Sequence, residues 1–236
     1  MKLTNPILIS LFLVFSITCT PLWSQNKETR KVADFTGIKM AVPGNLYLKQ
    51  GSKQEVIIEA SDDLLEKIET EVKGGNLVIK QESEWSWKWW KSNSGKINIY
   101  ITATTIDYLS VSGSGNMETQ NTLKADDIGL AVSGSGNMDL DLDAEDLDSR
   151  ISGSGNMKLR GTADSNEISI SGSGDLRAED LATDVYKVRV SGSGTCRIYA
   201  KSEIDMRVSG SGDVYYKGDP DKVYSSISGS GSLKKL

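Results

Sequence analysis

Three kinds of side chain in this sequence could do chemistry: carboxylates, a cysteine and a cluster of tryptophans. The chain has no histidine, which removes the commonest general base and the usual catalytic triads. Acids alone could hydrolyse or cleave a polysaccharide if two of them shared one face. Asp139, Asp141 and Asp143 alternate with leucines and so share one side of a strand. Because outward acids are the default for a half-buried strand, we expect a solvated face and no catalytic residue.

The sequence signals for a metal site and for a catalytic nucleophile are equally weak. The stretch from Ser171 to Leu176 shares glycines and an acid with the nonapeptide of calcium-binding β-rolls, but its acid follows glycine directly and the nine-residue pairing is missing. Cys196 stands in a column of apolar residues, where a thiol packs as a small hydrophobic group. The sequence therefore predicts no metal site, no cofactor and no cysteine nucleophile.

The best candidate for binding is an aromatic segment between two predicted strands. It contains four of the five tryptophans, Trp85, Trp87, Trp89 and Trp90. Indole rings bury much apolar area while keeping an N–H available, which suits sugar rings, partner proteins or a membrane interface. The alternative is that these rings only pack over the end of the fold.

A repeat must position all of these residues. The tetrapeptide Ser-Gly-Ser-Gly begins at Ser112, Ser133, Ser152, Ser171, Ser191, Ser209 and Ser228. Seven copies at a period near 19 residues are typical of a solenoid, in which each unit buries its apolar side only against its neighbours.

The residues that flank the tetrapeptide indicate which solenoid this is. A β-branched residue precedes every copy, as in Val111 and Ile170, and such residues favour strands. A polar residue and then an apolar one follow. The polar residues predict a hydrogen-bonded ladder of Asn116, Asn137, Asn156, Asp175, Thr195 and Asp213, with Ser232 after them. We therefore expect an all-β parallel β-helix of about seven turns, with glycine at a corner that requires positive φ.

The amino-terminal part lacks the repeat but keeps strand signals. Alternating segments such as 96–101 and a Gly74-Gly75 turn that predicts a hairpin indicate a β-rich cap over residues 34–104, which would cover a bare sheet edge. The predicted organisation is a signal peptide at 1–24, a short linker at 25–33, this cap, and the repeat β-helix at 105–236, continuous with the cap.

The first residues predict export. A basic residue, an apolar run from Ile7 to Ile17 and a polar stretch ending at Ser24 have the layout of a secretory signal, with cleavage after Ser24. Cys19 offers the alternative of a bacterial lipid anchor, and it would give the only membrane contact. Both alternatives place the protein in the periplasm, at the outer membrane surface or outside the cell. The net charge of −5 argues against nucleic acid as a partner.

The chain resembles a family of bacterial exported domains, the auto-transporter adhesin head GIN domain. The matching stretches are Phe35 to Ile38, Leu46 to Gly51, Gly75 to Ile79 and Ser110 to Asn116. The resemblance implies a right-handed β-helix at the cell surface or in the periplasm of Bacteroidetes-type bacteria, and no established activity.

Three functions are compatible with these observations. The first is a non-catalytic module for adhesion or recognition of glycans or envelope components. The second is a polysaccharide-active β-helix enzyme that uses carboxylates, and the third is a purely structural envelope protein. The last rung, after Ser232, would also leave a strand edge open, which predicts pairing between two copies through that end. Monomeric behaviour in light scattering at high concentration would contradict that pairing.

Overall fold

The computed structural model describes residues 26–82 and 95–236. The predicted signal peptide and the four tryptophans of the aromatic segment lie outside these residues. The strands are β1 (Asn26–Thr29), β2 (Gly37–Met40), β3 (Asn45–Gln50), β4 (Glu55–Ala60), β5 (Ile68–Lys73), β6 (Asn76–Gln81), β7 (Asn98–Ala103), β8 (Tyr108–Gly113), β9 (Asn116–Thr119), β10 (Leu123–Gly134), β11 (Asn137–Gly153), β12 (Asn156–Gly172), β13 (Asp175–Gly192), β14 (Thr195–Gly210), β15 (Asp213–Lys217), β16 (Lys222–Gly229) and β17 (Ser232–Lys235). One short helix, α1 (Asp62–Leu65), follows β4.

The repeats stack as a parallel β-helix. From β8 and β9 onward, each strand pairs in parallel with the strand one repeat later. The first serines of all seven tetrapeptides are aligned in one register, from Ser112 through Ser133 to Ser228. The predicted solenoid of about seven turns is confirmed. We call the tetrapeptide bend the corner, and the strand segments on its two sides the face before and the face after the corner.

Unequal repeat lengths are absorbed away from the corner. The longer repeat has one extra residue between Arg177 and Asp180, opposite Lys158 and Arg160. The shorter repeat shifts register at Ile198 and Tyr199, which face Ala178 and Ala182. Both irregularities end before the next tetrapeptide, where Ser191 and Ser209 align again. A bulge adds or removes a residue at the cost of a local kink. The corner therefore keeps one geometry in every rung.

The core is a set of inward columns. In the six repeats before the last, the β-branched residues before the corner and the apolar residues after it, such as Ile170 and Leu176, are almost completely buried. Cys196 is fully buried in the second column, as predicted for a core thiol. Burial raises the pKa of that thiol far above its usual range, because the charged thiolate is poorly solvated there. A nucleophilic role for Cys196 in the folded protein is therefore disfavoured.

The corner requires glycine for two reasons. The first glycine of every tetrapeptide has a positive φ, for example +120° at Gly172, as the sequence predicts. A Cβ on Gly172 would lie 2.4 Å from the carbonyl oxygen of Gly153, in the rung before. Backbone conformation and rung-to-rung packing thus demand the same residue.

Two further rungs continue the stack toward the amino terminus, and their order along the rod differs from their order in the chain. The rung of β2 and β3 pairs in parallel with β8 and β9 on one side, and with β6 and β7 on the other. The rung of β2 and β3, which comes first in the chain, therefore lies between two rungs that come later in the chain. From β6 to β16 the stack is about 38 Å long at the spacing of strands in a sheet.

Antiparallel strands close the amino-terminal end. β4 pairs with β7, β5 pairs with β6, and β1 pairs with β4. The hairpin predicted at Gly74 and Gly75 is confirmed, since both glycines have positive φ and join β5 to β6. Within 26–82 and 95–236, no helix has the length and apolar character needed to cross a membrane.

The other end of the stack is open among the described residues. Val223 and Ile227 of β16 occupy core columns, yet each is 41% exposed, whereas Ile204 and Val208 in the rung before are 0% and 3% exposed. No described strand covers β16 and β17 on their outer side. Pairing of two copies through this end stays a prediction.

Candidate functional site

The polar ladder lies just after the corner. The side-chain amide of Asn116 donates to Asn45 Oδ1 at 3.0 Å, that of Asn137 donates to Asn116 Oδ1 at 2.8 Å, and that of Asn156 donates to Asn137 Oδ1 at 2.9 Å. Asn116 and Asn137 thus each donate to the rung before and accept from the rung after, with their side chains at the surface. The amides form an unbroken row of hydrogen bonds from Asn45 to Asn156.

Toward the carboxyl end of the rod, carboxylate and hydroxyl side chains replace the amides of the ladder. Asp175 Oδ1 accepts a hydrogen bond from the backbone N–H of Thr195 at 3.1 Å, and Asp213 accepts one from the Ser232 hydroxyl. Toward the amino end, sequence reasoning missed Asn45 and Asn98, which align with Asn116. The signal was present: Gly44-Asn45-Leu46 repeats the glycine, polar and apolar order that follows each corner.

Breaking the ladder in the middle should measure its contribution to stability. Asn137→Ala removes one donated and one accepted hydrogen bond, each contributing about 0.5–1.5 kcal/mol net. We expect a loss of about 1–2 kcal/mol in the free energy of unfolding, measured by urea denaturation. Ser135→Ala, two residues earlier and exposed, is the control and should change stability by less than about 0.5 kcal/mol. Equal effects would show that the ladder does not stabilise the rod.

Exposed serines line the corner beside the ladder. The first and third residues of each tetrapeptide, such as Ser152 and Ser154, are exposed in every rung. Their hydroxyls can donate and accept hydrogen bonds. With the ladder they form a straight polar strip, which we call the polar corner, and it repeats once per rung at about 4.8 Å.

The three alternating acids do not form a catalytic pair. Asp139 lies 2.5 Å from the guanidinium of Arg160. Asp143 accepts a hydrogen bond from Thr162 at 2.9 Å and lies 3.7 Å from Lys124. Asp139 and Asp143 are thus paired separately, each with basic or hydroxyl side chains of adjacent rungs.

No metal centre is formed within residues 26–82 and 95–236. Among them, no three cysteine, aspartate or glutamate side chains converge in a group that could hold an ion. The depression beside Arg189 and Arg207 is open to solvent. An open surface of this kind suits an extended ligand better than a small molecule, because pocket ligands are mostly buried.

The strands on the two sides of the aromatic segment belong to one rung. Ile79 of β6 aligns with Met40 of β2, and Asn98 of β7 aligns with Asn45 of β3. Trp85, Trp87, Trp89 and Trp90 lie outside the described residues, and their role in binding stays a prediction.

Comparisons with known proteins support the fold and the family. The model of the family described as "Putative auto-transporter adhesin, head GIN domain" matches residues 34–220. The crystal structure of a "putative adhesin" from Bacteroides fragilis is similar over 90% of this chain and 97% of its own, with 27% identity and a TM-score of 0.83. No protein with curated function matches the sequence.

Two structures from Parabacteroides distasonis share the fold at 24% identity. One is a "putative lipid binding protein", with a TM-score of 0.73 over 90% of this chain and 96% of its own. The other is a "putative adhesin", with a TM-score of 0.71 over 90% and 97%. The family description and the name of the Bacteroides fragilis structure indicate an adhesin-like role at the cell surface or outside the cell. The resemblance drawn from the sequence is confirmed, and the chain belongs to the auto-transporter adhesin head GIN domain family.

Proposed function

We propose that this protein is an exported, non-catalytic recognition module that holds an extended glycan or another envelope polymer along the side of its rod. One observation carries the proposal. The polar corner presents serine hydroxyls in one register on every repeat, with hydrogen-bonded amides beside them at Asn116, Asn137 and Asn156. A polymer with repeating hydroxyls can form the same hydrogen bond many times against such a row.

Rigidity supports this function. The corner glycines and the amide ladder hold the polar groups in place before a ligand arrives, so little conformational entropy is lost on binding. Each contact is weak, but repeated contacts on one chain act together, which raises the total affinity. Adhesion to a long polymer uses this kind of cooperation.

Binding is tested with the purified protein on a panel of neutral and acidic glycans and bacterial envelope polysaccharides. A variant with Ser135, Ser154 and Ser173 changed to Gln puts bulk on the polar corner. Its matched control changes Ser110, Ser169 and Ser226 to Gln on the face before the corner. We expect saturable binding that only the corner variant weakens. A third variant with Trp85, Trp87, Trp89 and Trp90 changed to Ala tests whether the predicted aromatic site adds to this binding.

Other outcomes favour the alternatives. Release of sugar fragments from any polymer would favour a β-helix enzyme. Absence of binding by every preparation would leave a structural envelope protein, whose ladders serve stability alone. Export is tested separately on the mature protein by mass spectrometry, where a first residue near Gln25 supports signal cleavage and a lipid on Cys19 supports the anchored alternative.

A further inference from the structure

Five outward side chains stand in one column on the face after the corner, immediately beside the polar ladder. They are Lys158, Arg177, Arg197, Tyr215 and Lys234, aligned on five successive rungs. We call this column the basic stripe. It places Lys158, Arg177 and Arg197 on successive rungs about 4.8 Å apart and Lys234 one rung beyond Tyr215, in a chain whose net charge is −5.

The cations of the basic stripe have no acidic partner in the described part of the chain. The ion pairs found there do not include Lys158, Arg177, Arg197 or Lys234. Acids in adjacent positions are engaged elsewhere: Asp139 pairs with Arg160, and Asp175 accepts a hydrogen bond from the Thr195 backbone. The stripe therefore keeps its positive charge uncompensated.

The face before the corner is different. Its outward arginines each have an acid beside them: Arg150 pairs with Asp148, Arg189 with Glu167, and Arg207 with Asp205 at 3.7 Å. Like charges stacked across neighbouring strands are destabilising. The same chain thus neutralises one set of arginines and leaves another set repelling one another, which indicates a use outside folding.

Tyrosine rings lie close to cations in and beside the basic stripe. The Arg197 guanidinium lies 5.2 Å and the Lys234 ammonium 5.6 Å from the centre of the Tyr215 ring. Beside them, Lys217 lies 5.0 Å from the ring of Tyr199. Cations held against aromatic faces keep their charge and lose side-chain freedom. The donors are therefore already arranged in a row.

The width of the stripe selects the class of ligand. It is a single column of side chains, and acids stand beside it on the same strands: Asp175 is two residues before Arg177, and Asp213 is two residues before Tyr215. A duplex nucleic acid or an anionic membrane needs a broad basic surface, and these acids would repel both. A single thin chain with regularly spaced acidic groups can follow the stripe while its hydroxyls meet the polar corner.

We propose that the polymer is an anionic polysaccharide, bound through its carboxylate or sulfate groups by Lys158, Arg177, Arg197 and Lys234. This inference rests on the proposed function and names its ligand class. Arginine is suited to the task because its planar fork matches carboxylate and sulfate oxygens in pairs.

The test compares two double variants of the purified protein. Arg177→Gln with Arg197→Gln removes two charges from the stripe, and Arg150→Gln with Arg207→Gln removes the same charge from the other face. The probes are polygalacturonate for carboxylates and dextran sulfate for sulfates, with neutral dextran as the uncharged comparator. The stripe variant should bind at least about tenfold more weakly, since hydrogen bonds to charged groups exceed the free energy of a tenfold change. The control should bind within about twofold of the parent protein, because its arginines already have partners.

A second readout is independent of any ligand. Arg177→Gln alone removes the cation between Lys158 and Arg197 and leaves the ring contacts of Tyr215 intact. It should leave the unfolding temperature unchanged or raised, and a lowered value would overturn the statement that the stripe is uncompensated. Equal binding of dextran and dextran sulfate, or unchanged affinity of the stripe variant, would overturn the ligand class. Equal competition by single-stranded DNA or by vesicles containing anionic lipid would overturn it as well. If the anionic ligand class is overturned but neutral glycans still bind in a way that depends on the polar corner, the proposed function stands. If no polymer binds, both the proposed function and the ligand class are wrong.

Discussion

Gly172→Ala should destabilise the rod far more than Gly113→Ala, although both glycines occupy the same place in the tetrapeptide. Both have positive φ, +120° and +88°, so alanine introduces backbone strain of about 1–3 kcal/mol at either position. Only at Gly172 would the new Cβ also meet backbone, 2.4 Å from the carbonyl oxygen of Gly153; at Gly113 no atom lies within 4 Å. Overpacking adds about 1–3 kcal/mol. We expect total losses of about 2–6 kcal/mol at Gly172 and about 1–3 kcal/mol at Gly113.

Urea denaturation of the two variants and the parent protein measures these losses. The comparison isolates contact between rungs, because residue type, motif position and sign of φ are matched. Equal losses would mean that the corner glycine is needed only for its backbone conformation. A larger loss at Gly172 would show that close stacking of rungs itself excludes a side chain.

Ile170→Ala should be the second most damaging change, and Ile227→Ala the mild counterpart. Both residues precede a tetrapeptide and stand in the same inward column, but Ile170 is 1% exposed and Ile227 is 41% exposed. Truncating a buried isoleucine to alanine costs about 2–5 kcal/mol, because it removes apolar burial and leaves a cavity. At Ile227 much of that side chain already meets water, so we expect less than about 1.5 kcal/mol.

The same denaturation experiment checks the pair. A solenoid is stabilised by each rung and by its contacts with the two neighbours, so a central rung loses contacts on both sides. If Ile227→Ala cost as much as Ile170→Ala, the last rung would have to be covered in solution. That result would support the predicted pairing of two copies through this end.

Much of the fold could be predicted because the repeat carries its own register. The β-branched residue, the tetrapeptide, the polar residue and the apolar residue recur in fixed order, and each position has one physical role on the corner. Val111 and Met117 could therefore be assigned to the core, and Asn116 to the ladder, from the sequence alone. The buried positions agree with that assignment.

The basic stripe and the amino-terminal rungs could not be predicted in the same way. Lys158 and Arg177 become neighbours only when the register of the face after the corner is known, and nothing in the tetrapeptide requires charge there. The placement of β2 between β6 and β8 depends on pairings between residues far apart in sequence. Such pairings leave no local pattern, and only Gly44-Asn45-Leu46 hinted at a further corner.

The enclosed position of the β2–β3 rung sets an order of events for folding. Its two sides are covered only after β6, β7, β8 and β9 have been made, so the amino-terminal block must close large chain loops before it gains its contacts. Contacts of high sequence separation form slowly, because loop-closure entropy is lost first. The later rungs each pair with the rung just before them. We therefore expect one slow nucleation step at the amino end of the rod, followed by fast addition of successive rungs toward the carboxyl end.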